Sequence, residues 1–308
     1  FGISEYGELC TSEVGLEYTN GYEHIATGTY LEGYTVAYTI GGTSRVTYAV
    51  YSERYYISPS GFYIVENNTN YIMIKAVTHT YDGVIIESTF THRWGTKWIR
   101  VDITIINNAT AVLENVVFKR DTDIDVDTGG TYGWADYDNY FDWDSSIGMV
   151  YAWTNSTIGG YGPDPWHYVG VAGKPIPDLH DLDGWNDYDT YGTDQETPDG
   201  VVLFDGLACL HWNLGTIAPG EQKSVVVVFA CAHTEENLRK YVMQALGLGK
   251  ALVIMDVYPW DLTEDSISET LQLECMDYDV ASSSNFTSYD LSKYSKIIIL
   301  SDQYTSTY

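Results

Sequence analysis

Basic residues are scarce in this chain: Lys and Arg number 15 against 43 Asp and Glu, giving a formal net charge of −28 and a pI near 4.2. A polyanion releases no counterions from a phosphate backbone that repels it, which excludes nucleic acid as a partner. Anionic membrane surfaces are excluded by the same sign. Long apolar runs are missing as well. Ser224–Ala232 and Lys296–Leu300 fall far short of the roughly 20 residues that span a bilayer, so no membrane-spanning segment is read. The four cysteines, Cys10, Cys209, Cys231 and Cys275, show no C-x-x-C spacing, which argues against a zinc site. The seven histidines lack the i, i+4 spacing of a helical zinc protease. No G-x-G-x-x-G follows a predicted strand, and Gly247-Leu248-Gly249-Lys250 precedes its strand, the wrong end for phosphate; no nucleotide cofactor is expected.

What the chain has in excess is concentrated. Residues 121–199 hold sixteen Asp, one Glu and Lys174 as the only base, more than half of the net charge. Acidic segments of this density are ordinarily disordered, because they repel themselves and have nothing apolar to bury. This one also carries Trp134, Tyr137, Tyr140, Phe141, Trp143, Tyr151, Trp153, Trp166, Tyr168, Trp185, Tyr188 and Tyr191, enough apolar surface to order it. An ordered carboxylate cluster requires neutralisation, and calcium suits many oxygen ligands in irregular loops. Two runs are candidates: Asp121, Asp123, Asp125 and Asp127, and Asp181, Asp183, Asp187 and Asp189. The second places oxygens at alternate positions around Gly184, as calcium loops do, although Gly192 stands where an EF-hand has Glu. The Asp142-Trp143-Asp144 pair admits a second chemistry, glycoside cleavage by two carboxyl groups.

Asn67, Asn108, Asn155 and Asn285 head Asn-x-Ser/Thr acceptors, so N-linked glycans are expected in a secreted chain. The first residue is Phe1, which fits removal of a secretory signal and predicts an extracellular or cell-surface location. There a disulfide is permitted, and Cys209 and Cys231, flanking an expected hairpin over Leu210–Val228, are its candidates; buried thiols are the other reading. The 28 tyrosines exceed the needs of a core and suit subunit contacts or sugar stacking.

From Tyr34 to Lys119 apolar and polar residues alternate in eight runs punctuated by Gly41-Gly42, Asp82-Gly83 and Asn67-Asn68, the grammar of antiparallel hairpins. In Trp98–Ile105, Ile99, Val101 and Ile103 form the core face. Strand patterning resumes over Gly200–Asn213 and Lys223–Ala232. The expectation is mainly β: an antiparallel β-sandwich over 1–233 with 121–199 as an acidic insertion. A helix and connector occupy 234–249, with Thr234 as N-cap and Gly247 as stop. A partial α/β domain follows over 250–308, with strand Ala251–Asp256, a helix near Glu264–Cys275, and strands Asp279–Ala281 and Lys296–Leu300.

Leu210–Glu221 resembles the final hairpin of sandwich domains in secreted microbial proteins. Trp98–Asn107 with Leu113–Arg120 is similar to strand pairs in the supersandwich domains of sugar-processing enzymes. Residues 250–308 resemble the first units of amidotransferase-like or flavodoxin-like folds, too few to close such a sheet. With the expected secretion, the sequons, the ordered acidic insertion, the surplus of tyrosine and the incomplete final domain, the chain resembles a secreted microbial surface-layer or extracellular filament protein, a structural subunit whose partners are copies of itself. The supersandwich likeness and the tryptophan-acid cluster imply the alternative, a secreted carbohydrate-binding or glycoside-cleaving module.

Overall fold

The structure is a computed structural model describing residues 1–9, 15–19, 22–25, 31–50, 53–126, 139–153, 167–183, 200–204, 206–248, 250–255, 271, 277–289, 291, 294 and 296–299. The chain divides into two units, Phe1–Val242 and Met243–Tyr308. The first contains strands β1 (Glu17–Thr19), β2 (Tyr22–Glu23), β3 (Glu32–Ile40), β4 (Thr43–Val50), β5 (Glu53–Tyr55) and β6 (Ile57–Asn67). It continues with β7 (Tyr71–Thr80), β8 (Val84–Arg93), β9 (Trp98–Asn107), β10 (Leu113–Asp123), β11 (Asn139–Asp144) and β12 (Met149–Trp153). Then come β13 (Tyr168–Lys174), β14 (Leu179–Asp183), β15 (Val202–Phe204), β16 (Leu207–Ile217), β17 (Gln222–Ala232) and helix α1 (Glu235–Ala245), whose last three residues fall in the second unit.

Period-two patterning produces two antiparallel sheets. One has six strands in the order β14-β16-β10-β3-β4-β5, the other nine in the order β15-β11-β12-β13-β17-β9-β8-β7-β6. Gly41 and Gly42 both take positive φ, +56° and +76°, the geometry a two-residue turn between β3 and β4 demands. Inward residues of both sheets, among them Val36, Phe118 and Trp212 from the first and Ile99, Val101, Ile103 and Phe229 from the second, form one core. Trp212 lies so close to the backbone of β13 that a Cβ on Gly173 would sit 2.1 Å from its ring, so that position accepts no side chain.

The acidic insertion contributes strands of its own: β11, β12 and β13 are interior strands of the larger sheet, and β14 closes an edge of the smaller. Phe141 and Tyr151 of these strands are buried. One expectation needs correction: Leu210–Val228 is not a hairpin. β16 pairs with β10 and β14, while β17 pairs with β9 and β13, so the turn at Ala218-Pro219-Gly220-Glu221 carries the chain from one sheet to the other. A tight turn between antiparallel runs reads alike in sequence whether it links neighbours or crosses a sandwich.

Helix α1 follows its sequence signals. Thr234 Oγ1 accepts the Asn237 amide at 3.2 Å, Leu238, Val242, Ala245 and Leu246 are buried, and Gly247 leaves the helix at φ +66° with Leu248 N donating to Met243 O at 2.8 Å. In the second unit β18 (Lys250–Ile254) lies between β19 (Asp277–Ala281) and β20 (Lys296–Ile299), paired in parallel with each. Ala251, Val253 and Leu271 cluster together, as do Leu252, Ile254 and Ala281. The expected helix Glu264–Cys275 lies outside the described residues except for Leu271, which is helical.

Candidate functional site

Strand β10 turns alternate side chains to opposite faces, and both faces are charged. Phe118 belongs to the sandwich core, and Arg120 faces the same way. Lys119, Asp121 and Asp123 take the other face, away from that core, yet are buried to 0%, 0% and 1% exposure. Register then assembles what the sequence holds sixty residues apart. Asp121 stands opposite Cys209, which stands opposite Asp181; Asp123 stands opposite Leu207, which stands opposite Asp183. Lys119, His211 and Leu179 form the adjoining row. Asp121 and Asp123 of one predicted calcium run thus share a sheet face with the Asp181 and Asp183 positions of the other, separated by β16.

The electrostatics distinguish these carboxylates. Lys119 Nζ lies 2.9 Å from Asp121 Oδ1, and the Cys209 thiol donates to the same oxygen at 3.1 Å. Asp121 Oδ2 is buried with no hydrogen-bond partner. A buried carboxylate requires a counter-charge, and for Asp121 a protein cation supplies it. Asp181 is buried and accepts the Leu182 amide at 2.8 Å; Asp125 is buried beside His24, whose carbonyl accepts its amide at 3.0 Å. Asp127, Asp187, Asp189 and the Asp183 side chain lie outside the described residues. Among the described residues no three His, Cys, Asp or Glu side chains are grouped to hold a metal ion.

The inward face carries a network that sequence reading missed. Arg120, fully buried, donates from Nε to Glu32 Oε1 at 2.6 Å and from Nη1 to the Gly7 carbonyl at 3.3 Å, with its guanidinium 5.5 Å from the Phe229 ring centroid. The other Glu32 oxygen accepts the Leu9 amide. Burial raises the Glu32 carboxyl from 4.5 to about 7 despite the opposing pull of Arg120. Burial also raises Glu8, which pairs with Arg54 at 3.0 Å. The signal available in sequence was an Arg inside an apolar alternation, Phe118-x-Arg120-x-Thr122, which implies a buried acid elsewhere.

Cys209 and Cys231 are both buried but are not joined: Cys231 belongs to the sandwich core, whereas Cys209 sits with Leu31, Val50 and Leu207 on the outward face. The expected disulfide is corrected for the same reason as the hairpin. Asn67, Asn108 and Asn285 are exposed, the first at the end of β6, the second after β9, and the third accepting the Ser282 amide at a turn; Asn155 lies outside the described residues. Asp142 and Asp144 do not converge on an open site. Tyr151 donates to Asp142 at 3.2 Å, while Asp144 is engaged by Arg239 and by Ser146.

No protein-family model matches the chain, and no curated protein matches it in sequence. Solved structures overlap it loosely. A bacterial glucoamylase complexed with acarbose is 9% identical, over 74% of this chain and 30% of its own, with a TM-score of 0.49. The GH36 alpha-galactosidase AgaA from Geobacillus stearothermophilus is 10% identical, over 72% of this chain and 34% of its own, at 0.38. The alpha-galactosidase from Lactobacillus brevis is 9% identical, over 77% and 36%, at 0.33. The chain therefore spans about a third of these proteins' lengths, and overlaps this loose carry no argument about activity. No described helix is long and apolar enough to cross a membrane.

Proposed function

We propose that this chain is an extracellular structural subunit that assembles with copies of itself into a surface layer, sheath or filament. One observation carries the reading. Among the described residues strand β6 is the terminal strand of the nine-stranded sheet, and four consecutive apolar residues on it, Phe62, Tyr63, Ile64 and Val65, are 48%, 50%, 60% and 49% exposed. An edge with free backbone donors and acceptors and apolar side chains on both faces is a template for another strand, and unassembled proteins ordinarily blunt such edges. Blunting here is partial. Pro59 and two bulges interrupt β6, leaving Gly61–Ile64 as the regular stretch.

The occupant is a second copy, by an argument from charge. Two chains of −28 repel each other, but residues 57–107 balance Lys75, Arg93, Lys97 and Arg100 against Glu66, Asp82, Glu87 and Asp102. The β6–β9 wing is the electroneutral part of a polyanion, and there a copy can approach without like charge facing like. Calcium would serve the same assembly, because it would lower the repulsion and fix the acidic segment; its ligands would be drawn from Asp121, Asp123, Asp125 and Asp127 and from Asp181, Asp183, Asp187 and Asp189. The exposed Asn67, Asn108 and Asn285 side chains are accessible to N-linked glycans. The parallel β19-β18-β20 sheet is read as the opening of a doubly wound α/β domain of amidotransferase-like or flavodoxin-like kind. Its strand β20 leaves Ile297 and Ile299 47% and 67% exposed, a further edge for completion by another segment.

Sedimentation velocity over a range of concentrations tests the proposal. Wild-type protein should form multiples of the single-chain mass, more readily at higher salt because the remaining repulsion is screened. The Ile64→Lys variant should stay a single chain while keeping its circular dichroism. Wild-type protein that stays a single chain at every salt and concentration would refute self-assembly through β6.

A further inference from the structure

Residues 1–9 form neither strand nor helix, yet they lie against the sandwich core: Ile3 and Tyr6 pack on it, and Glu8 and Leu9 are fully buried. Gly7, at φ +86°, runs so close to β7 and β8 that a Cβ there would stand 3.1 Å from Ser88 Oγ and 3.7 Å from Ala76 Cβ. Phe1 meets the His92 ring edge to face at 5.3 Å. A buried segment outside the sheets needs other partners for its backbone, and here side chains supply them. The Tyr34 hydroxyl donates to the Tyr6 carbonyl at 3.0 Å, Arg120 Nη1 donates to the Gly7 carbonyl at 3.3 Å, and the Leu9 amide donates to Glu32. Glu8 adds a charge from the segment itself. It accepts from Ser4 Oγ and from Arg54 Nη2, the latter at 3.0 Å, while the Arg54 guanidinium lies 4.3 Å from the Tyr6 ring centroid. The other Glu8 oxygen, Oε1, is buried with no hydrogen-bond partner among the described residues.

We propose that residues 1–9 are a pH-sensitive strap, latched onto the sandwich through Glu8, Glu32, Arg54 and Arg120 at acidic and neutral pH and released as a unit above neutrality while both sheets stay folded. The titratable groups at the latch are Glu8 from the segment, Glu32 and Tyr34 from β3, Arg54 from β5 and Arg120 from β10; β7 and β8 present Ala76, Thr78 and Ser88 there, none of them charged. Burial raises both carboxyls, Glu8 against the pull of Ser4 and Arg54 and Glu32 to about 7 against that of Arg120, and the charge of Glu8 adds to the rise of Glu32. An acid raised in the latched state favours that state fully below its ordinary value of 4.5 and ceases to as pH climbs through about 7. Above that, two carboxylates share one buried site, and release returns Glu8 to water and hydrates Glu32. The strap is the part that opens because side chains, and no strand ladder, hold its backbone. On the β6 reading of assembly, release also enlarges the apolar surface beside the contact, since Ala76 stands opposite Phe62; the strap itself does not depend on that reading.

Amide hydrogen exchange of the intact protein, read by mass spectrometry on the peptide covering residues 1–9 and on one from β9 and corrected for the intrinsic pH dependence of exchange, tests the strap. Between about pH 5 and about pH 8.5 the protection of residues 1–9 should fall about tenfold or more while that of β9 stays constant. Glu8→Gln, which removes the segment's own charge, should shrink that fall. Protection of residues 1–9 that does not change with pH overturns the proposal, as does a loss in step with β9, which would mean that the whole sandwich opens, or an undiminished fall in a folded Glu8→Gln variant. Should that variant not fold, the wild-type pH series decides alone. Sedimentation of the Ile64→Lys variant reads the β6 contact separately, so the failure of one idea is distinguishable from the failure of the other.

Discussion

Removing Arg120 should destabilise the sandwich in a pH-dependent way. The guanidinium is fully buried and is the counter-charge of Glu32, which is equally buried. The Glu32 carboxyl rises from 4.5 to about 7, so holding it ionised in the fold costs about 3 kcal/mol even with Arg120 present. An acid raised on folding binds its proton more tightly in the native state than in the unfolded chain. Its contribution to stability is therefore full below pH 4.5 and declines as pH climbs to about 7. Replacing Arg120 with Met withdraws the one cation that opposes this, and breaking a buried pair costs about 3 to 5 kcal/mol where the remaining partner is charged. At pH 8 the variant should lose that amount. At about pH 5 Glu32 is protonated in the fold, and the loss should fall to less than half. Urea unfolding followed by tryptophan fluorescence, wild type and variant compared at each pH, measures both. Adding Glu32→Leu to Arg120→Met should recover most of the loss at pH 8, since an apolar pair leaves no orphaned charge. Equal losses at the two pH values, or no recovery in the double variant, would refute the assignment of Arg120 and Glu32 as a mutually dependent buried pair.

Other outcomes follow from the same structure. Chelation should lower the melting temperature if calcium joins the aspartate runs, by the equivalent of roughly 3 kcal/mol at a hundredfold excess of ion over its dissociation constant; Asp181→Asn with Asp183→Asn should make the protein insensitive to chelator, and an unchanged wild-type melt would contradict calcium. Intact mass of native material should exceed 34.6 kDa in steps removed by deglycosylation, whereas a single peak at the bare mass would eliminate occupied sequons. Thr234→Ala should cost about 1 kcal/mol through loss of the cap on the Asn237 amide; a change within error would assign that hydrogen bond no role.

The strands from β3 to β10 were legible because alternation is local: Ile99, Val101 and Ile103 face inward as their period requires, and Gly41-Gly42 and Asp82-Gly83 make the turns their conformations favour. Helix α1 was legible through Thr234 and Gly247 for the same reason. Long-range pairing was not. The alternation of Asp121, Asp123 and Asp125 looks like a ligand ladder, yet it begins as strand alternation, and the cation beside Asp121 is Lys119, two residues upstream of the segment that charge counting had isolated. Glu32 and Asp144 find their partners 88 and 95 residues away, where no periodicity reaches. The crossing from β16 to β17 was hidden because a turn's sequence records its own conformation and not the sheet that receives the next strand.

Negative-stain microscopy of native material tests the central claim most directly. Self-assembly through an electroneutral, apolar edge predicts ordered filaments, sheaths or sheets that disperse in the Ile64→Lys variant. Uniformly dispersed single chains in both preparations would contradict it.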